Sequence, residues 1–277
     1  MSRIQNILDK AEREGTVRRI RPVAEPAVSA GVATVDPASA FVMPPPDVTE
    51  AVTDAAPALA PVRVISGIRL SHRLIAAISP AGVAAEQYRA LRTRILHNES
   101  DAAVNVVLVT SPGRSDGKSL TVANLGLTMA QEYQQRICVV DANFRSPQQH
   151  RLFGLPEGPG LSDVLVGRAS LEEALIALEE HHITVLPVGT ASAHPAELLG
   201  TTTMRRTLDT LRSQFDRIII DSPSVTPLAD VGILTPLVDC VILVVRAGVT
   251  SKPAIHDAIA AIEGGKLLGV VLNEAAQ

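Results

Sequence analysis

Apolar positions in this chain follow two rhythms that alternate from about residue 64 onward. Val104, Val106, Val107, Leu108 and Val109 form a β-branched run of buried-strand length. A turn rich in Ser, Pro and Gly follows, after which Val122, Leu125, Gly126 and Met129 recur at helical spacing. The runs Ile137 to Val140, Ile183 to Val188, Ile218 to Ile220, Val241 to Val245 and Leu267 to Leu272 read as further strands. Helices are expected from Pro80 to His97, from His194 with Pro195 in the first helical position, and from about Lys252 to Glu263. Strands alternating with helices predict an α/β fold: a mostly parallel central sheet covered by helices on both faces. Ligands of such sheets sit beyond the carboxyl ends of the strands.

Upstream the rhythm is different. In residues 1–21, Ile4, Ile7, Leu8 and Ala11 share one face, Ser2 and Gln5 have capping-box spacing, and Arg18, Arg19 and Arg21 follow Gly15. This predicts a short amphipathic helix with a basic segment, either lying on its own domain or docking to a membrane-associated partner. Residues 22–63 carry Pro22, Pro26, Pro37, Pro44 to Pro46, Pro57 and Pro61 without a sustained apolar period, the composition of a disordered linker. Residues 64–277 are left as the folded domain.

Composition sharpens this picture in three ways. Hydrophobic residues make up 46% of the 277 but aromatics only 2%, so the core is aliphatic. A net charge of −4 argues against nucleic acid as a partner, which needs a basic surface. Cys138 and Cys240 both lie in strand-like runs without metal-ligand spacing, which predicts buried thiols. No apolar run reaches the ~18 residues of a membrane span, and no signal-peptide core is present, so a cytoplasmic location is expected.

The chemistry concentrates after the first strong strand. Strand, glycine-containing turn, Gly117-Lys118-Ser119 and helix form the context of a phosphate-binding loop. Backbone N–H groups and the helix N-terminus make a nest for phosphate oxygens. Lys118 would put a positive charge on the β/γ-phosphates, the Ser119 hydroxyl would take a position on Mg²⁺, and Gly117 lets the backbone approach the anion. The spacing departs from G-x-x-x-x-G-K-[ST]: Pro112 stands where the first glycine is expected, with Gly113 one place later. Asp141 and Asp221 each close an apolar strand. Structurally such an acid caps the next turn. Beside a Lys-Ser loop, Asp221 would hold Mg²⁺ directly or through water, and Asp141 would orient the nucleophile, take its proton or support the metal. On the helix after Pro80, Glu86, Arg89 and Arg92 are three apart and share one side, either as a solvated face or as an interface.

From Pro80 to Asn273 the chain resembles the bacterial tyrosine kinases of capsule and exopolysaccharide synthesis, P-loop enzymes related to the ParA/MinD ATPases. The resemblance rests on Glu86-x-x-Arg89-x-x-Arg92, the Lys118-Ser119 loop (Walker A), Asp141-Ala142-Asn143-Phe144-Arg145 (Walker A′) and Ile218 to Asp221 (Walker B). Gly160 to Leu165, Pro195 to Leu199 and Gly269 to Asn273 look like further family segments. It implies ATP and Mg²⁺ as ligands and γ-phosphoryl transfer to tyrosine, with Lys118, Asp141 and Asp221 catalytic. Nucleotide binding would fall to Gly113, Ser115, Asp116, Gly117, Lys118, Ser119, Leu120, Arg246 and Asn273, and the metal to Ser119, Asp141 and Asp221. Glu86, Arg89 and Arg92 would meet a neighbouring subunit in a ring-shaped homo-oligomer. A membrane-embedded chain-length regulator would activate the kinase and hold it at the inner face of the membrane.

Three departures qualify the resemblance. Asn143 replaces a second Walker A′ aspartate, Arg114-Ser115 stands where relatives often carry Pro-Gly, and no tyrosine follows Asn273. The two tyrosines, Tyr88 and Tyr133, read as packing residues, so the expected substrate is a tyrosine of another protein, in trans. Two other readings stand beside the kinase. One is a ParA/MinD-like switch ATPase, against which Gly113 counts because a signature lysine is expected there. The other is an ATP-binding scaffold for the membrane regulator.

Overall fold

The computed structural model describes residues 62–97, 104–131, 135–192, 194–225, 230–262 and 267–275. The expected N-terminal helix, nearly all of the linker and Tyr133 lie outside these residues. The first strand, β1, spans Arg63–Ile65.

The other strands are β2 (Val106–Thr110), β3 (Ile137–Asp141), β4 (Ile176–Leu178), β5 (Ile183–Leu186), β6 (Arg217–Asp221), β7 (Cys240–Arg246) and β8 (Leu267–Asn273). They form one eight-stranded sheet in the order β1-β4-β5-β3-β6-β2-β7-β8. Every pairing is parallel except β4 with β5. The strands β2, β3 and β6 are buried or nearly so along their whole length, which is why their sequences run apolar without alternation.

Alternation survives as a division between the two faces. Val106, Leu108, Cys138, Val140, Ile218 and Ile220 point into one core. Val107, Val109, Ile137, Val139 and Ile219 point into the other. Helices α1 (Val83–His97) and α2 (Lys118–Ala130) supply Ile95, Val122, Leu125 and Met129 to the second core. Helices α3 (Thr202–Gln214) and α4 (Lys252–Ala261) supply Met204, Leu208, Leu211 and Ala258 to the first. At Gly126 of α2 an added Cβ would come within 2.7 Å of Val139 Cγ2, so this glycine sets how closely α2 lies on the sheet. Both cysteines are buried, and burial pushes the Cys138 thiol far up.

The expected α/β architecture is the one observed. The helix read from His194 is real but stops at Leu199, and Gly200 ends it. The longer α3 follows at once, started by Thr201, whose hydroxyl accepts the Met204 N–H at 3.2 Å.

Candidate functional site

The loop between β2 and α2 has an unusual backbone. Gly117, the residue before α2, has φ +98°, and an added Cβ would lie 2.0 Å from Asn273 Nδ2, so only glycine fits. Ser115 is also left-handed at φ +64°, a conformation that costs a residue with a Cβ about 1–2 kcal/mol. This is the place where the family resemblance expects glycine. The N-cap residue, Gly117, offers no side chain to cap the first N–H groups of α2, which leaves them to a ligand.

Asp116 organises the loop from behind. Its Oδ2 accepts the Gly113 N–H at 2.8 Å and its Oδ1 accepts the Thr250 hydroxyl at 2.9 Å. Asn273 Nδ2 donates to the Asp116 carbonyl at 3.0 Å, and Ser111 Oγ donates to the Gly113 carbonyl at 2.6 Å. The Asp116 side chain is therefore turned into the protein, which leaves its backbone N–H as the group that would meet a phosphate. Gly113 likewise serves through the backbone contact that holds the loop.

At the floor stand the two acids. Asp141 and Asp221 are register partners on the adjacent parallel strands β3 and β6, and both are fully buried. Asp141 Oδ1 accepts the Asn143 N–H at 3.1 Å, and its Oδ2 accepts those of Gln148 and Gln149 at 3.0 Å each. Burial and the neighbouring Asp221 charge push Asp141 well above the ordinary carboxylate range, against these three donors. Asp221 Oδ2 accepts from Gln149 Nε2 at 2.9 Å, whereas its Oδ1 has no hydrogen-bond partner among the described residues. Burial raises the Asp221 carboxyl too, although the Lys118 charge and the Gln149 and Ser119 side chains pull it down. A wholly buried carboxylate oxygen without a donor is costly, and a hard cation satisfies it. Among the described residues no cluster of three or more His, Cys, Asp or Glu side chains gathers.

A cleft of about 360 Å³ opens above, lined by Ser115, Gly117, Lys118, Ser119, Leu120 and Asn273 among the expected residues. A second lobe of about 230 Å³ shares Ser115, Lys118, Asn143 and Ser146 with it and adds Arg114, Arg145, Pro223 and Ser224. Lys118 is only 8% exposed, a buried cation beside the buried acids. Arg246 lines neither lobe. Its Nε donates to Glu274 Oε2 at 2.6 Å, so the structure holds it at the cleft's edge through Glu274.

Glu86 and Arg89 form a surface ion pair at 2.6 Å, and Arg89 Nη1 also donates to the Pro80 carbonyl at 2.8 Å. Arg92 turns inward and donates to the Thr128 carbonyl of α2 at 2.9 Å. Of the expected interface triad, Arg92 is thus engaged within the subunit. Tyr88 packs into the core on the α2 side, and burial pushes its hydroxyl up in pKa.

Two contributors were given no role of their own from the sequence. Gln149 is fully buried and its Nε2 bridges Asp221 and the Ser119 carbonyl, the latter at 3.0 Å. Arg145 is tied to the buried Asp230 at 2.9 Å. The first follows Ser-Pro-Gln without a motif of its own. The second belongs to the Walker A′ run, but its acidic partner is far away in the sequence.

Comparison with known proteins agrees with this geometry. The chain is 34% identical over 209 residues to the tyrosine-protein kinase YwqD of Bacillus subtilis (strain 168), covering 75% of this chain and 88% of that protein. The crystal structure of the chimerical protein CapA2B2 superposes with a TM-score of 0.71 at 31% identity, covering 76% of this chain and 93% of that one. The kinase domain of the Escherichia coli tyrosine kinase ETK does so with a TM-score of 0.69 at 26% identity, over 74% and 82% of the two chains. No protein-family model matches the chain.

Proposed function

The chain belongs to the bacterial tyrosine-protein kinases, and on that premise we propose that it transfers the γ-phosphoryl group of ATP to a tyrosine of another protein in a capsule or exopolysaccharide system. The observation that carries this reading is the orphaned, buried Oδ1 of Asp221 beneath Lys118 and the uncapped N-terminus of α2. Those groups fit Mg²⁺ and a nucleotide, with Ser119 and Asp221 holding the metal. Bound there, Mg²⁺ supplies charge neutralisation on the phosphate oxygens.

The rest falls to the chain's own residues. Lys118 and the first N–H groups of α2 fix the phosphates and oppose the charge that spreads over the transferring group. The tyrosine oxygen forms the new bond to phosphorus, the bond to the ADP oxygen breaks with its electron pair left on ADP, and the hydroxyl proton passes to water. Phosphoryl transfer asks mainly for positioning and electrostatics, so a strong base is not required. With three backbone donors on its carboxylate, Asp141 is best suited to support: it fixes Gln149, which in turn orients Asp221.

Action in trans fits the half-buried packing of Tyr88. Under this reading α1, with Glu86 and Arg89 outward, meets a second copy of the chain. A membrane-embedded chain-length regulator serves as activator at the inner face of the membrane. Among the described residues no helix is long and apolar enough to cross a membrane.

The test is an incubation of the full chain with ATP, Mg²⁺, a tyrosine copolymer and the regulator's cytoplasmic peptide, reading ADP and phosphotyrosine together. Phosphotyrosine is expected, with a loss of about 10²-fold or more in Lys118→Met, the scale set by removing one transition-state donor. ADP without phosphotyrosine would turn the reading toward a switch ATPase, and neither product would leave a nucleotide-binding scaffold.

A further inference from the structure

The larger lobe of the cleft holds a second cation that belongs to none of the nucleotide motifs. Arg73 lines it together with Lys118, Ser119 and Leu120, although it lies in the segment that precedes α1. That segment is clamped to α2. Asn124, wholly buried on α2, donates from Nδ2 to the Arg73 carbonyl at 3.2 Å and accepts the Ala76 N–H on Oδ1 at 3.0 Å. Gln131 donates to the Ala76 carbonyl at 3.0 Å, Ser71 N–H to the Leu152 carbonyl at 2.9 Å, and Leu74 is fully buried between them. The root of Arg73 is therefore fixed to the same helix whose first residues build the anion nest.

Its guanidinium is treated differently from those of Arg145 and Arg246. Arg145 is paired with Asp230, and Arg246 takes Glu274, the one carboxylate that lines the larger lobe. Arg73 is exposed and makes no side-chain hydrogen bond or ion pair among the described residues. A planar cation rooted rigidly at the rim of a phosphate cleft, with no carboxylate to neutralise it, is arranged to bind an anion.

We propose that Arg73 is a nucleotide-binding residue of this kinase, giving the phosphates of bound ATP and ADP a second fixed positive charge beside Lys118. The identity of the anion rests on the kinase reading; the placement of the cation does not. The test is a titration of the full chain with a fluorescent ADP in Mg²⁺ at low salt, for the unaltered chain, Arg73→Ala and Arg73→Lys, with melting curves taken without nucleotide. Loss of one charge-assisted contact should weaken ADP binding about tenfold in Arg73→Ala. Arg73→Lys should recover part of it, competition by adenosine should stay unchanged, and Tm without nucleotide should not move. In kinase assays KM for ATP should rise more than kcat falls. Unaltered protein that binds ADP while Arg73→Ala binds it equally well would overturn the inference and leave the kinase reading intact. Unaltered protein that binds neither ADP nor ATP would remove the kinase reading, and the assignment with it.

Discussion

Asp141 and Asp221 stand side by side at the ends of β3 and β6, wholly buried, whereas Glu86 and Arg89 meet across 2.6 Å at the surface of α1. Both groups stand out in the sequence by their position in a regular element, yet the fold treats them in opposite ways. The acids are held in place by backbone donors and by Gln149, and one oxygen remains without a donor. The surface pair is already satisfied and can exchange partners at little cost, because exposed ion pairs contribute only about 0–1 kcal/mol. A buried charge with an unmet need thus points to a missing ligand. An exposed charge with its needs met points nowhere until a partner is supplied.

Asp221→Asn tests the buried side and should have the largest effect. Activity should fall about 10²-fold or more as the metal's protein ligand is lost. Without nucleotide, however, the variant should melt at a higher temperature than the unaltered chain, because a carboxylate whose pKa the fold raises is one that the fold disfavours when charged. The sign can be followed with pH. The folded protein keeps protons here that the unfolded chain has already released: Asp141, pushed up to about 8, loses its contribution to stability as pH climbs from 3.8 toward that value, and Asp221, raised by burial, shifts in the same direction. Melting curves across that window should decline less steeply for Asp221→Asn, and an equal slope would mean that the pair is not protonated in the fold.

A smaller effect is expected on the exposed side. Arg89→Ala with Arg92→Ala should lower the mass seen by light scattering from an oligomer toward a monomer. The same double change should cost about 1 kcal/mol of subunit stability, because the Thr128 carbonyl loses its donor. An unchanged mass would confine both arginines to the contacts they make inside the subunit. Smallest of all, Glu86→Gln should shift stability by no more than about 0.5 kcal/mol, measured by urea titration. A larger loss would show that the surface pair is worth more than its exposure allows.

Legibility in the sequence followed the same divide. The strands β2, β3, β6 and β7 were readable because burial on both faces demands continuous apolar runs. The helices α1, α2 and α4 were readable from spacing and, for α2, from the Gly117-Lys118-Ser119 start. By contrast, β1 and β4 are three residues each, too short for any period, and β4 is the strand that breaks the parallel pattern. The helix α3 was hidden behind Gly200 because its polar face outweighs Met204, Leu208 and Leu211. At the site, Lys118, Ser119, Asp141 and Asp221 were legible as residues with a chemistry. That the Asp116 side chain braces the loop was not legible, since spacing gives no side-chain direction in a left-handed loop. Gln149, Thr250 and Arg73 act by where the fold carries them, and no local pattern announces that.

The brace from Asn273 to the Asp116 carbonyl has a meaning in time as well as in space. The loop that would grip phosphate is made early in synthesis, but the side chain that locks its shape is 157 residues further on. At roughly 5–20 residues per second, the ribosome leaves the loop unlocked for about 8–30 s. Its strand β2 also waits, since β6 and β7, which flank it, are both made later. A growing chain therefore carries the phosphate-binding residues long before it can use them, and the site is completed only when β8 closes the sheet's edge.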